Sequence, residues 1–137
     1  MKDHTPTNAQ MVMDTPTKLT SHHFSAILTT INGRENDSCQ DLLSLLKEAI
    51  AEARLTAVAE VTARFQPHGV SAVVVLEESH VAVHLWPEHK AATVDIHVCD
   101  YSQGNEARAM ELARLIGWRL AGDDSLASWS RLTVSSP

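Results

Sequence analysis

The sequence predicts an α+β fold, a two-layer α/β sandwich in which helices pack on one face of a mostly antiparallel sheet. Most of the chain consists of short apolar segments that alternate with a period of two and are joined by short turns. Only two segments, near residues 38–54 and 105–120, carry apolar residues at helical spacing. We therefore expect a single domain over residues 21–137, preceded by a flexible, Thr- and Pro-rich tail at residues 1–20.

The first half of the sandwich is predicted to be a strand, a helix and a second strand. The first strand is expected at residues 23–31, which contain Phe24, Ile27, Leu28 and Ile31. Asp37 or Ser38 can cap the helix that follows, which runs to about Arg54. Strict alternation then predicts a strand, and one of its faces carries Ala57, Ala59, Val61, Ala63 and Phe65.

The second half is predicted to contain three strands, a helix and a last strand. Residues 70–76 form an almost continuous apolar run, as expected of a central strand, and Pro87 ends the next one. In the strand after that, the side opposite the apolar residues carries Thr93, Asp95, His97 and Cys99. The inward side of the second helix is expected to hold Ala107, Met110, Leu112 or Ala113, Ile116 and Leu120. Residues 128–134 complete the sheet.

Composition and charge exclude several classes of partner. The formal net charge is −6 and no cluster of Lys and Arg occurs, which argues against nucleic acid and against an anionic membrane surface. No apolar run approaches the roughly 20 residues of a membrane-spanning helix, and no signal peptide is recognisable. Cys39 and Cys99 lie far apart in the sequence, so reduced thiols in a cytoplasmic protein are expected.

A polar segment, Glu77-Glu78-Ser79-His80, interrupts two apolar strands where a core has no structural need for it. A serine held in a strained turn can attack the carbonyl group of the residue before it. His84 is a candidate base for Ser79. Five strand residues span roughly 16 Å, so this pairing requires a reversal that folds Ser79 back toward His84.

The histidines also raise the possibility of a metal site, because His80, His84, His89 and His97 follow in close succession. On one strand His80 and His84 lie about 13 Å apart, too far to share an ion. Pairing of His84 with His97 across two strands could still build a site, but we expect no metal. A serine hydrolase is disfavoured, since no G-x-S-x-G motif occurs.

Several of these residues together resemble a known family. The sequence is similar to the small bacterial and archaeal S-adenosylmethionine decarboxylase proenzymes over residues 65–100 with intact spacing, and more loosely over residues 20–120. The similarity rests on Gly69-Val70-Ser71, Glu78-Ser79-His80, His84, Trp86-Pro87-Glu88, Ala91-Ala92, Asp95 and Cys99. A histidine five residues and a cysteine twenty residues beyond the serine of a Glu-Ser pair make this pattern specific.

The resemblance implies a proenzyme that cleaves itself between Glu78 and Ser79 into a β chain, residues 1–78, and an α chain that begins at residue 79. Ser79 would become a covalent pyruvoyl group, which binds the substrate amine as a Schiff base and takes up the electrons of decarboxylation. The family implies further that such enzymes are homo-oligomers, at least dimers of αβ protomers.

The resemblance also assigns roles to other residues. His84 removes a proton during self-cleavage and Ser71 assists. Cys99 donates a proton to the product carbon, for which a mostly protonated thiol is suited. Glu88 corresponds to an acid of the active site, and Phe65 to an aromatic ring that stacks on adenine. Trp86 is a further candidate for contact with the small-molecule substrate.

The segment near residues 21–33 departs from the family, whose members open with Gly-x-His and an acidic turn. Here the chain reads Ser21-His22-His23-Phe24 and then Thr29-Thr30-Ile31-Asn32-Gly33. Because this region shapes the substrate pocket in the family, three functions remain open. They are decarboxylation of S-adenosylmethionine for polyamine (spermidine) biosynthesis, a pyruvoyl-dependent decarboxylation of L-ornithine or L-arginine, and a non-catalytic regulatory or binding role.

Overall fold

The structure, a computed structural model, describes residues 18–100 and 104–137. The strands are β1 (Thr20–Thr29), β2 (Ala57–Arg64), β3 (Val70–Leu76), β4 (Ser79–Trp86), β5 (Ala91–Cys99) and β6 (Trp129–Ser135). The helices are α1 (Cys39–Glu52) and α2 (Glu106–Ala121). Most of the predicted tail, residues 1–17, lies outside the described residues, and β1 begins at Thr20.

The six strands form one sheet in the order β2-β3-β4-β5-β1-β6, and every neighbouring pair is antiparallel. Helix α1 contacts β2 and β3, α2 contacts β1 and β5, and the two helices contact each other. Their leucines and alanines enclose one apolar core with the buried side of the sheet. The predicted two-layer α+β sandwich is therefore confirmed.

Local sequence signals explain where most elements begin and end. Helix α1 starts after Ser38, whose Oγ accepts a hydrogen bond from the Asp41 backbone N–H at 3.0 Å. Helix α2 ends at Gly122, whose φ of 69° is in the left-handed region that glycine adopts easily. The turn between β2 and β3 contains Gly69 at a φ of 109°, which would strain any other residue. None of the described helices is long and apolar enough to cross a membrane.

Strand and helix geometry decide which side chains are buried, and the predicted inward position of Ala107 is wrong. Ile27 is 73% exposed, because alternation along β1 turns Phe24 and Leu28 toward the core and Ile27 away from it. In α2 the inward residue of the first turn is Ala109, one helical turn before Leu112 and Ala113, and Ala107 is exposed. In β2 every residue is exposed, as befits an edge strand.

The side of the sheet away from the helices is uncovered, and we refer to it as the open face. The predicted apolar stripe of β2 belongs to it, since Val61 pairs with Val73 and Ala59 with Val75. Its exposed large apolar side chains are Ile27, Val61, Val75, Trp86, Leu132 and Val134. Apolar surface of this extent is unusual on a free sheet face and is typical of a surface that another protein covers.

Candidate active site

Ser79 is the first residue of β4 and follows a two-residue turn, Glu77-Glu78, that joins β3 to β4. Leu76 and Ser79 face each other across this turn. The φ angle of Ser79 is 152°, in a region that L-residues other than glycine rarely adopt and that costs on the order of 1–3 kcal/mol. The turn therefore concentrates backbone strain at the Glu78–Ser79 peptide bond.

Glu78 is held from two sides. Its carbonyl oxygen accepts a hydrogen bond from the Cys99 backbone N–H at 2.8 Å, and its side chain accepts one from the Thr56 N–H at 3.2 Å. The residue is only 6% exposed. Because a hydrogen bond to a carbonyl oxygen draws electron density away from the carbonyl carbon, the Cys99 N–H both orients this group and makes it more electrophilic.

The Ser79 hydroxyl lies among histidines. Its Oγ atom is 3.4 Å from His80 Nδ1 and 3.4 Å from His97 Nδ1. The other ring nitrogen of His97, Nε2, is 3.6 Å from Cys99 Sγ. Five residues therefore meet at one end of β4 and β5. We call them the Ser79 cluster, which consists of Glu78, Ser79, His80, His97 and Cys99.

The environment of the Ser79 cluster favours neutral side chains. Burial, with a smaller contribution from the nearby Asp100 carboxylate, raises the pKa of the Cys99 thiol. Burial also lowers the pKa of His97, and the neighbouring His23 and His80 lower it further. At neutral pH the cluster therefore contains a protonated thiol beside an uncharged imidazole.

A hydrogen-bond network fixes the backbone around Cys99. The Asn105 side-chain amide donates to the Cys99 carbonyl oxygen at 3.0 Å, and the Asn105 N–H donates to Asp100 Oδ1 at 2.8 Å. His22 Nε2 lies 2.9 Å from the same Asp100 oxygen. Asn105 is 1% exposed, so these bonds are shielded from water. The Cys99 N–H thus keeps its position against the Glu78 carbonyl.

A second group of predicted residues gathers at the other end of β4. Ser71 and His84 face each other across β3 and β4, and Ser71 Oγ lies 2.6 Å from His84 Nδ1. Both line a cavity of about 300 Å³. The remaining predicted residues on its wall are Phe65, Trp86 and Glu88. We call these five residues, Phe65, Ser71, His84, Trp86 and Glu88, the His84 cluster.

The cavity of the His84 cluster combines aromatic surface with negative charge. Phe65 is 52% and Trp86 is 42% exposed, and the Trp86 indole N–H donates to Thr93 Oγ1 at 3.1 Å. Glu88 lies 3.2 Å from His68 Nε2. A hydrogen bond from its own backbone N–H, helped by the charge of His68, lowers the pKa of Glu88, so this group is a carboxylate at neutral pH.

Within one chain the turn does not fold Ser79 back toward His84. Ser79 and His84 occupy the two ends of β4, separated by five strand residues or roughly 16 Å. The considered pairing of His84 with His97 is also wrong, since His84 pairs with Ser71 and Thr93, and His97 with His23 and His80. Over residues 18–100 and 104–137, no group of three or more His, Cys, Asp or Glu side chains is arranged to hold a metal ion.

Two features of the Ser79 cluster could not be predicted from the sequence. The sequence assigns neither His80 nor His97 a role at Ser79, although His97 shares its strand face with Cys99. The strand register, which pairs His80 with His97, brings both rings to Ser79. The hydrogen bond from Cys99 N–H to the Glu78 carbonyl has no sequence signal, because any residue but proline supplies a backbone N–H.

Comparison with known proteins relates this chain to one family. A family model described as S-adenosylmethionine decarboxylase matches residues 20–117. The S-adenosylmethionine decarboxylase proenzyme of Aquifex aeolicus is 42% identical over 77 residues, which cover 56% of this chain and 57% of the relative. That of Symbiobacterium thermophilum is 30% identical over 100 residues, covering 73% of this chain and 76% of the relative.

A solved structure agrees with the sequence relatives. The crystal structure of the adenosylmethionine decarboxylase from Aquifex aeolicus superposes with a TM-score of 0.67 and 29% identity, covering 87% of this chain and 91% of that one. The sequence alignments with several relatives span less than two thirds of the relatives' own length. The family model nevertheless covers well over half of the 137 residues. The chain therefore belongs to the S-adenosylmethionine decarboxylase family.

Proposed function

We propose that this protein is a self-processing, pyruvoyl-dependent decarboxylase that converts S-adenosylmethionine to S-adenosylmethioninamine and CO₂ for spermidine biosynthesis. The observation that carries the proposal is the Glu78–Ser79 junction. A strained serine follows a carbonyl group that the Cys99 N–H orients and polarises at 2.8 Å. That arrangement fits cleavage into a β chain, residues 1–78, and an α chain that begins at residue 79.

Self-cleavage begins when Ser79 Oγ attacks the Glu78 carbonyl carbon. Negative charge develops on the carbonyl oxygen, where the Cys99 N–H already donates. The C–N bond then breaks and leaves Glu78 joined to Ser79 as an ester with a free amine. This acyl shift is unfavourable in a flexible peptide, but a fixed geometry can supply effective molarities on the order of 10⁵–10⁸ M.

Completion of the cleavage requires loss of the Ser79 Cα proton and elimination of the Glu78 carboxylate. We assign the proton removal to His84 and the assisting role to Ser71, whose hydroxyl lies 2.6 Å from the His84 ring. The resulting dehydroalanine hydrolyses, releases ammonia and leaves the pyruvoyl group at position 79. That group supplies an electron sink for decarboxylation once the substrate amine has bound to it.

In the mature enzyme we assign the proton donor to the Cys99 thiol. Its pKa is raised by burial, which keeps the thiol protonated at neutral pH. The chemistry of the His84 cluster suits S-adenosylmethionine, which carries a flat adenine ring and a positive sulfonium. Phe65 and Trp86 offer aromatic surface for stacking, and the Glu88 carboxylate offers negative charge.

The relatives reported above are named for S-adenosylmethionine, which supports this substrate over L-ornithine or L-arginine. The proposal is tested by measuring CO₂ release from the three carboxyl-labelled compounds in parallel, with purified protein whose cleavage is verified by intact mass. We expect turnover of S-adenosylmethionine alone. If the cleaved protein decarboxylates ornithine or arginine instead, the proposed substrate is wrong. If the chain stays intact, the proposal that it is a self-processing enzyme is wrong.

We further propose that the active form is a cytoplasmic homodimer of αβ protomers. Both described cysteines are free thiols, as expected in a reducing compartment. The open face offers apolar surface for a second copy, and a two-fold axis would pair the same surface on each subunit. We also propose a chemical role for the dimer, in which one subunit's Ser79 cluster meets the other subunit's His84 cluster, because Ser79 and His84 occupy opposite ends of β4 within one chain.

Mixed dimers test this shared site. We expect that co-expression of Ser79→Ala and His84→Ala chains with different tags restores cleavage, because the mixed dimer contains one site with both residues intact. The cleaved chain should be the one with His84→Ala, which supplies the serine. Mass spectrometry of the doubly tagged dimer measures this. If neither chain in the mixed dimer is cleaved, each site lies within a single chain.

A further inference from the structure

We propose that His97 is the base that accepts the Ser79 hydroxyl proton in the first step of self-cleavage, a role distinct from that assigned to His84. The inference rests on the proposed self-cleavage and adds to it a residue that the family resemblance did not assign. It is carried by the position of the His97 ring, whose two nitrogens face the Ser79 hydroxyl and the Cys99 thiol.

The geometry allows direct proton transfer. His97 Nδ1 lies 3.4 Å from Ser79 Oγ, a long hydrogen bond of the kind that tightens when a reaction begins. His97 reaches this position because β5 pairs with β4 in a register that places Val98 opposite Ser79 and His97 opposite His80. Its position therefore depends on the sheet register rather than on a loop.

Neighbouring groups hold the ring in a reactive state. The His23 ring stacks on it, with centroids 4.2 Å apart and planes inclined by 19°, and the His80 ring meets it edge-on at 5.1 Å. Cys99 Sγ can accept a hydrogen bond from Nε2–H at 3.6 Å, which leaves the Nδ1 lone pair for Ser79. Burial and the two neighbouring histidines favour the uncharged ring, so the lone pair is available at neutral pH.

Two other histidines are alternative bases. His84 of the same chain is at the far end of β4, and its Nδ1 is hydrogen-bonded to Ser71. A His84 supplied by a second subunit is distinguished by the hydroxylamine test below, in which His84→Ala still forms the ester. His80 Nδ1 is as close to Ser79 Oγ as His97 Nδ1 is. His97 differs from His80 in that its second nitrogen lies 3.6 Å from a thiol sulfur, which can accept from Nε2–H and leave Nδ1 unprotonated. We therefore assign the proton to His97, and a greater loss of cleavage rate in His80→Ala than in His97→Ala would assign it to His80 instead.

The step balances without any added reactant. As Ser79 Oγ bonds to the Glu78 carbonyl carbon, the hydroxyl proton passes to His97 Nδ1 and the carbonyl π electrons move onto oxygen. When the oxygen's electrons return, the C–N bond breaks and its pair stays on the Ser79 nitrogen. His97 gives its proton to that nitrogen, which forms the free amine, and the imidazole is uncharged again.

The test follows cleavage of newly translated full-length chain by intact mass. General bases contribute about 10²- to 10⁴-fold, so we expect His97→Ala and His97→Gln to slow cleavage by such a factor. Glutamine can hydrogen-bond but cannot accept a proton, and it provides a second, more conservative variant. Added imidazole should partly restore cleavage in His97→Ala. His89→Ala changes an exposed histidine that lies in neither cluster, and it should cleave at the rate of the unmodified chain.

Hydroxylamine identifies the affected step, because it cuts esters but not peptide bonds under mild conditions. It should release residues 1–78 from His84→Ala, in which the ester accumulates. It should not do so from the His97 variants, in which the ester forms too slowly to accumulate. The inference is overturned if the His97 variants cleave at the normal rate or if hydroxylamine cuts them. It is also overturned if added imidazole does not speed the cleavage of a His97→Ala protein whose melting temperature is unchanged. A failure of the unmodified chain to cleave would instead overturn the proposed function.

Discussion

Replacement of Ser79 with alanine is expected to leave the full-length chain uncut and without decarboxylase activity. Alanine retains the backbone but has no hydroxyl to attack the Glu78 carbonyl, so neither the chain break nor the pyruvoyl group can form. No other side chain supplies the missing atom, because the carbonyl is attacked by the residue that becomes the cofactor. The expected loss of CO₂ release is therefore complete rather than partial.

Intact mass spectrometry and CO₂ release measure the two consequences of Ser79→Ala separately. Ser44→Ala is a suitable control, because Ser44 lies on α1, on the opposite side of the sheet from the Ser79 cluster. The control should cleave and turn over normally. If Ser79→Ala were still cut between residues 78 and 79, the assignment of Ser79 as nucleophile would be wrong.

Cys99→Ala is expected to separate cleavage from turnover. Its backbone N–H still donates to the Glu78 carbonyl oxygen, so the chain should still be cut, either normally or more slowly because His97 has lost its thiol partner. Turnover should fall by about 10²- to 10⁴-fold, because the proton donor to the product carbon is lost. Cys39→Ala is the matched control, since Cys39 lies on α1 near the Ala63 carbonyl and away from the Ser79 cluster. Full turnover by Cys99→Ala would remove the thiol from the proton-donor role.

The pH profile gives a second measure of Cys99. Its pKa is raised above the ordinary thiol value, so the donor stays protonated through neutral pH and loses its proton only as pH rises above that ordinary value. Turnover of the cleaved enzyme should therefore decline on the alkaline side. In Cys99→Ala this decline should disappear from the residual activity, whereas a retained decline would assign it to another group.

Much of the fold could be predicted because its signals are local. Apolar residues with a period of two located the strands, Ser38 marked the start of α1, and Pro87 marked the end of β4. The error at Ala107 has a simple cause. Several nearby apolar residues compete for the core, and the geometry of the element then decides which of them faces inward.

The sequence by itself determined the α+β architecture, the family and the residues that the family pattern contains. Only the tertiary structure decided how those residues are grouped, with Ser79 and Cys99 in one cluster and Ser71 and His84 in another. It also brought His97 to the Ser79 hydroxyl and the Cys99 N–H to the Glu78 carbonyl. The physical reason is strand register. Residue types and spacings are properties of one segment, whereas neighbours across a sheet depend on how distant segments align.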